Sequence, residues 1–155
     1  MAARKKAKGF NLAALDTLQN SVSGVDLIIK NPFDDNNPIG DKGAYLAMKV
    51  LGPASSQYRK AQNKIMRDLL SRKKDPSAMD ASDIVTDDAY DQNNLDVVVS
   101  CVVGWSNMYF DPSNDDVTTA LEFNQKNLEM VLIHCPWIRR QLESHIIDER
   151  NFLKG

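Results

Sequence analysis

Cysteine and histidine are scarce in this chain, two of each in 155 residues. So few thiols exclude a disulfide-stapled scaffold. Cys101 and Cys135 both sit in apolar stretches and read as buried, reduced thiols of a cytoplasmic protein. Cys101, His134, Cys135 and His145 compose poorly into a zinc site. His134 and Cys135 are adjacent, and no pair repeats a Cys-x-x-Cys or His-x-x-x-His step. A Cys–His nucleophile pair would need a third, orienting group, and nothing in the sequence supplies one. Glycine is also sparse, and the close pair Gly40 and Gly43 precedes no helix, so the phosphate cradle of a P-loop or dinucleotide fold is missing. There is no nucleophile elbow and no His-Glu-x-x-His step. The reading is therefore of a protein that is not an enzyme and has no cofactor and no metal. The longest apolar run, around residues 97–103, falls far short of the roughly 18 residues that a membrane span needs. Neither sign of charge dominates: the formal net charge is -2, which disfavours a dedicated nucleic-acid binder. The basic start has no apolar stretch behind it and does not read as a secretory signal.

What the chain does have is 43% hydrophobic and 26% charged residues, the make-up of one ordinary domain with its own core. Residues 1–9 read as a flexible basic arm carrying Arg4, Lys5, Lys6 and Lys8 with no acid. Residues 10–155 read as a single domain. Its lead, Gly9-Phe10-Asn11-Leu12-Ala13-Ala14-Leu15, is amphipathic and is expected to be an extended segment or one helical turn docked on the body. Two strand-like runs, 25–30 and 44–50, flank a linker rich in turn-forming residues, and so predict a hairpin over about residues 25–52 with a long loop. A lone hairpin is marginal in water and must pack on helices.

After Pro53 the period changes. Tyr58, Ala61, Ile65 and Leu69 recur at helical spacing with Met66 and Leu70 beside them, and Ser55 or Ser56 supplies the N-cap. The other face holds Arg59, Lys60, Lys64, Arg67, Arg72, Lys73 and Lys74. The sign then reverses: Asp75, Asp80, Asp83, Asp87, Asp88, Asp91 and Asp96 come with no lysine or arginine among them. The two stretches would satisfy each other if they packed side by side, at little gain in stability. Asp87-Asp88 and Asp115-Asp116 lack the ligand register of an EF-hand and read as solvated acids. The run 97–103 fits strand or helix equally by pattern. Residues 111–116 read as a loop, and 117–123 as a short extended piece. Asn124 caps a helix to about Ile133, and Pro136 opens a final one whose buried stripe is expected to be Ile138, Leu142, Ile146 with Ile147, and then Phe152. Val98, Cys101, Val102, Trp105, Leu128, Leu132, Trp137, Leu142 and Ile146 are expected in one buried cluster. The fold class is α+β, mainly α, with an N-terminal β-hairpin packed on a bundle of about four helices over about residues 55–153.

The order of several short motifs is informative. Phe10-Asn11-Leu12-Ala13-Ala14-Leu15 leads. Leu51-Gly52-Pro53-Ala54-Ser55-Ser56 opens into Tyr58-Arg59-Lys60-Ala61-Gln62. An apolar run ends in Cys101-Val102-Val103-Gly104-Trp105. Phe123-Asn124-Gln125-Lys126-Asn127, Pro136-Trp137-Ile138-Arg139-Arg140-Gln141 and Ile147-Asp148-Glu149-Arg150-Asn151-Phe152 follow. In this order, over nearly the whole chain, the sequence resembles the tail assembly chaperones of long-tailed bacteriophages and prophages. The resemblance implies a mostly helical C-terminal body, and hence a helix over residues 95–110. It implies a protein of the host cytoplasm that binds the tape-measure protein, keeps it soluble, and promotes tail-tube assembly around it. Such chaperones leave before the virion matures. It also implies contact with the tail-tube protein through a longer, frameshifted form, with self-association left open. Six residues are assigned to partner contact: Phe10, Leu12, Arg59, Arg67, Phe152 and Leu153. The alternative is a structural virion component, such as a tail-completion or head–tail joining protein.

Overall fold

The computed structural model describes residues 9–73, 87–114 and 116–153, with side chains on the acidic helix from Gln92 onward. The basic arm, the acids Asp75, Asp80 and Asp83, and Asp115 lie outside the described residues, as do the side chains of Asp87, Asp88 and Asp91.

The architecture is mixed α+β, with five α-helices among the described residues and small antiparallel sheets. The helices are α1 (Leu18–Ser23), α2 (Ser56–Lys73), α3 (Asp87–Cys101), α4 (Gln125–His134) and α5 (Pro136–Ile147). Short 3-10 turns stand at Leu12–Leu15 and Glu149–Phe152. The strands are β1 (Val25–Ile28), β2 (Lys30–Asn31), β3 (Asn37–Pro38), β4 (Gly40–Asp41), β5 (Ala44–Tyr45), β6 (Ala47–Val50) and β7 (Val102–Ser106).

Helix starts follow local chemistry. Ser55 Oγ accepts the Tyr58 N–H at 3.2 Å, opening α2. Asn124 Oδ1 accepts the Asn127 N–H at 2.8 Å, opening α4. Pro136 occupies the first turn of α5, where a missing N–H costs nothing. The predicted hairpin is present as β1 against β6, in the register Val25↔Val50 to Ile28↔Ala47. The linker between them is not a plain loop. It folds into two further two-residue ladders: β2 on β3, around a turn in which Asp35 and Asn36 take positive φ, and β4 on β5, around a turn with Gly43 at positive φ.

The expected helix over residues 95–110 is corrected. It ends at Cys101, and Val102–Ser106 continues as β7, the third strand in the order β1-β6-β7. Cys101 C=O, left without a helical donor, accepts the Leu51 N–H at 2.8 Å. Two β-branched valines then find a free strand edge on β6, where Met48 pairs with Trp105. A valine run serves either state, and the available ladder decides between them. The expected extended piece over 117–123 forms no strand. It is tethered instead: Leu121 N–H donates to Met108 C=O at 2.7 Å, and Trp105 Nε1–H donates to Leu121 C=O at 2.9 Å.

One cluster joins sheet to helices. Met48, Val50 and Val102 meet Val98, Cys101, Leu128, Leu132, Leu142 and Ile146, all buried, while Trp105 and Trp137 pack against it half-buried. Helix α3 is central, touching α2, α4, α5 and β7. Among the cluster's neighbours, Phe123 meets the Trp105 ring edge-on at 4.9 Å between centroids, a favourable quadrupolar arrangement.

Candidate functional site

The groups that could carry chemistry are Cys101, Cys135, His134 and His145. Cys101 is buried, and desolvation pushes its thiol up to about 12. Cys135 is half-buried and raised for the same reason. A thiol held in this way is a poor nucleophile, because the thiolate is the reactive form. Both cysteines are free. His134 rests against the Phe110 ring at 5.6 Å, and His145 against Phe152 at 5.4 Å. Among the described residues no group of three or more His, Cys, Asp or Glu side chains could hold a metal ion. Asp111 is spent on a turn, its Oδ1 accepting both the backbone N–H and the hydroxyl of Ser113, which lowers its carboxyl below the usual range.

The six residues assigned to partner contact fall in three places. Phe10 and Leu12 are highly exposed, at 72% and 73%. Leu12 opens a 3-10 turn whose N-cap, Asn11 Oδ1, accepts the Ala13 N–H at 3.0 Å. This turn buries none of its residues, so the expected docking of the lead on the body is corrected to an exposed segment. Arg59 and Arg67 are exposed on α2; Arg67 reaches back to the Asn63 carbonyl. Helices α2 and α3 do pack side by side. Asp96, the acid of α3 whose side chain is described, bonds to Gln92 Nε2 at 2.9 Å rather than to a cation of α2.

Phe152 is fully buried, as the stripe of the final helix predicts, so it does not face a partner; Ile147, expected in the same stripe, is corrected to the surface, since it falls one position past Ile146 and turns off the buried face. Its ring lies over Gly52, where an added Cβ would come within 2.9 Å of it and would run into Ser21 Oγ. Ser21 ties the same joint from the other side. Its C=O accepts the Gly52 N–H at 2.9 Å and its Oγ accepts the Ala54 N–H at 2.8 Å. Leu153 remains at the surface, and its C=O accepts Asn20 Nδ2–H at 2.8 Å. Helix α1 is thus fastened to the segment that follows the last 3-10 turn.

Two features were not read from sequence. The first is that Leu15, Leu18 and Val22 are exposed along with Phe10 and Leu12. Their spacing, Leu12, Leu15, Leu18, Val22, is the signal that could have found them, but a core stripe has the same spacing. The second is an open groove of about 600 Å³ between β1–β2 and α5, floored by Leu27 and Ile28 and walled by Trp137 and Gln141. No protein-family model, no curated protein and no solved structure matches this chain.

Proposed function

We propose that this chain is a non-catalytic binding protein that keeps a helical, apolar partner in solution. In the terms of the resemblance, it is a phage tail assembly chaperone acting on the tape-measure protein in the host cytoplasm, with the tail-tube protein engaged through a longer form. One observation carries the reading: Phe10, Leu12, Leu15, Leu18 and Val22 all lie exposed in one short segment. Scattered apolar residues at a surface need no explanation, but a contiguous set does. Seating a partner's apolar face on this strip removes both surfaces from water, at about 25 cal/mol per Å², with ordering of the partner opposing. The protonated thiols and dispersed histidines support the absence of turnover. Exposed Arg59 and Arg67 then tune encounter rate and salt sensitivity more than final affinity.

The test is coexpression with the tape-measure chain from the same phage. The partner should move to the soluble fraction and copurify with this protein, which should be absent from finished particles by mass spectrometry. A partner that stays insoluble, with this protein stoichiometric in mature particles, replaces the chaperone reading with the structural-component one.

A further inference from the structure

The sheet has a free edge, and its directions can be assigned. Ile29 N–H donates to Leu46 C=O at 3.0 Å, and the register continues through Leu27↔Met48 and Val25↔Val50. In an antiparallel pair the inward and outward residues alternate. Val25, Leu27 and Ile29 therefore direct their N–H groups toward β6. Asp26, Ile28 and Lys30 direct their N–H and C=O groups outward, toward α5. On the other side of β6 the pairing with β7 is interrupted by a register shift between Lys49 and Val50, and Leu51 N–H, just past β6, donates to Cys101 C=O at the end of α3.

At Lys30 the outward pair is already occupied in an unusual way. The Gln141 side-chain amide accepts from Lys30 N–H at 3.0 Å and donates to Lys30 C=O at 2.7 Å. One side chain of α5 makes the two bonds that a neighbouring strand would make. At Ile28 and Asp26, no described residue does so. The open groove runs along this stretch, between the β1 edge and α5.

Its walls have a definite chemistry. Phe33 is 80% exposed, and its ring stands edge-on to Trp137 at 5.9 Å, an aromatic corner at one end. Lys30 and Arg140 line the groove, while its lining carboxylate, Asp148, is engaged by Arg150 at 2.6 Å. Among the lining residues the uncompensated charge is therefore positive, while Asp26, farther along the edge and outside the lining, carries an exposed carboxylate. His145, on the same wall, holds Nε2 buried without a partner. Buried polar atoms are rarely left in that state.

We propose that this groove takes an extended, acidic peptide segment as a fourth strand on β1. Its backbone pairs with Ile28 and Asp26 and continues the ladder that Gln141 terminates. An apolar side chain seats beside Phe33 and Trp137, and a carboxylate two positions away, on the same face of the strand, meets Arg140 and Lys30. This surface is separate from the exposed N-terminal strip, so the proposal does not rest on the chaperone reading.

The probe is a synthetic peptide of about eight residues in which every second position holds, in turn, valine or phenylalanine and then aspartate, with serine or threonine between them, so that apolar and acidic side chains share one face; it is titrated into the full chain and followed by amide NMR. The expected result is shifts at the Asp26 and Ile28 amides and at the Trp137 indole N–H. N-methylating one alternate set of peptide amides should weaken binding by roughly tenfold or more, while methylating the other set leaves it nearly unchanged, because only one set faces β1. Lysine in place of aspartate, and Arg140→Glu in the protein, should each weaken binding by roughly tenfold. Equal tolerance of both methylation sets, equal loss with both, or no shift at Asp26 and Ile28 at about 1 mM peptide overturns the proposal.

Discussion

Two regions of this molecule use the same kinds of residue in opposite ways. At the joint of Ser21, Gly52 and Phe152, an aromatic ring is wholly buried and the backbone around it is hydrogen-bonded. Along residues 10–22, a phenylalanine, three leucines and a valine stay in water. The two regions are neighbours in space, since Asn20 bonds to Leu153 just after the buried ring. The difference lies in what meets each side chain. Phe152 finds a glycine that lets it close on the backbone, whereas the N-terminal leucines sit on a 3-10 turn and a short helix too small to cover them. Apolar character alone therefore does not separate fold from interface; the partner atoms do.

The largest expected effect comes from breaking the buried side of this comparison. Phe152→Ala should lower the unfolding free energy by about 3–5 kcal/mol, read by urea denaturation, because it removes a fully buried ring. A change near zero would place Phe152 at the surface. Gly52→Ala probes the same joint from the other side. The new Cβ meets Ser21 Oγ and the Phe152 ring, so a loss of about 1–3 kcal/mol is expected. In Phe152→Ala the clash with the ring is gone while that with Ser21 Oγ remains, so the penalty of Gly52→Ala should shrink without vanishing; additive effects would show that the two do not touch.

The starts of α2, α4 and α5 were legible in the sequence, because capping is local: Ser55, Asn124 and Pro136 each act within a few residues of themselves. Most of the expected core is also found buried, since apolar stripes at helical spacing repeat often enough to be read. The turn from α3 into β7 was not legible, because a valine run is equally at home in either and the choice lies with β6, far away in sequence. Phe152 was assigned to a partner because a stripe facing the core and a stripe facing a partner are the same stripe until the neighbours are known. The groove could not be foreseen at all: Lys30 and Gln141, which define it, are 111 residues apart.

A smaller effect sharpens the comparison through pH. His145 packs on Phe152, and burial lowers its pKa from the usual 6.5, with Asp148 opposing. The unfolded chain thus takes up a proton that the folded chain resists. Stability should be unaffected above pH 6.5 and should fall as pH drops from 6.5 through the lowered value. His145→Phe keeps a ring against Phe152 and should flatten that slope in denaturation curves taken at stepped pH. A slope that survives the substitution would assign it to another group.

The most direct measurement concerns the exposed side. Leu12, Leu15 and Leu18 are replaced together by serine, and unfolding free energy and capture of the tape-measure chain are measured on the same preparation. Stability should stay within about 0.5 kcal/mol of the parent for each substitution, because none of these side chains is buried. The partner should return to the insoluble fraction. Undiminished capture by a folded triple variant would contradict the claim that this strip is where the partner is held.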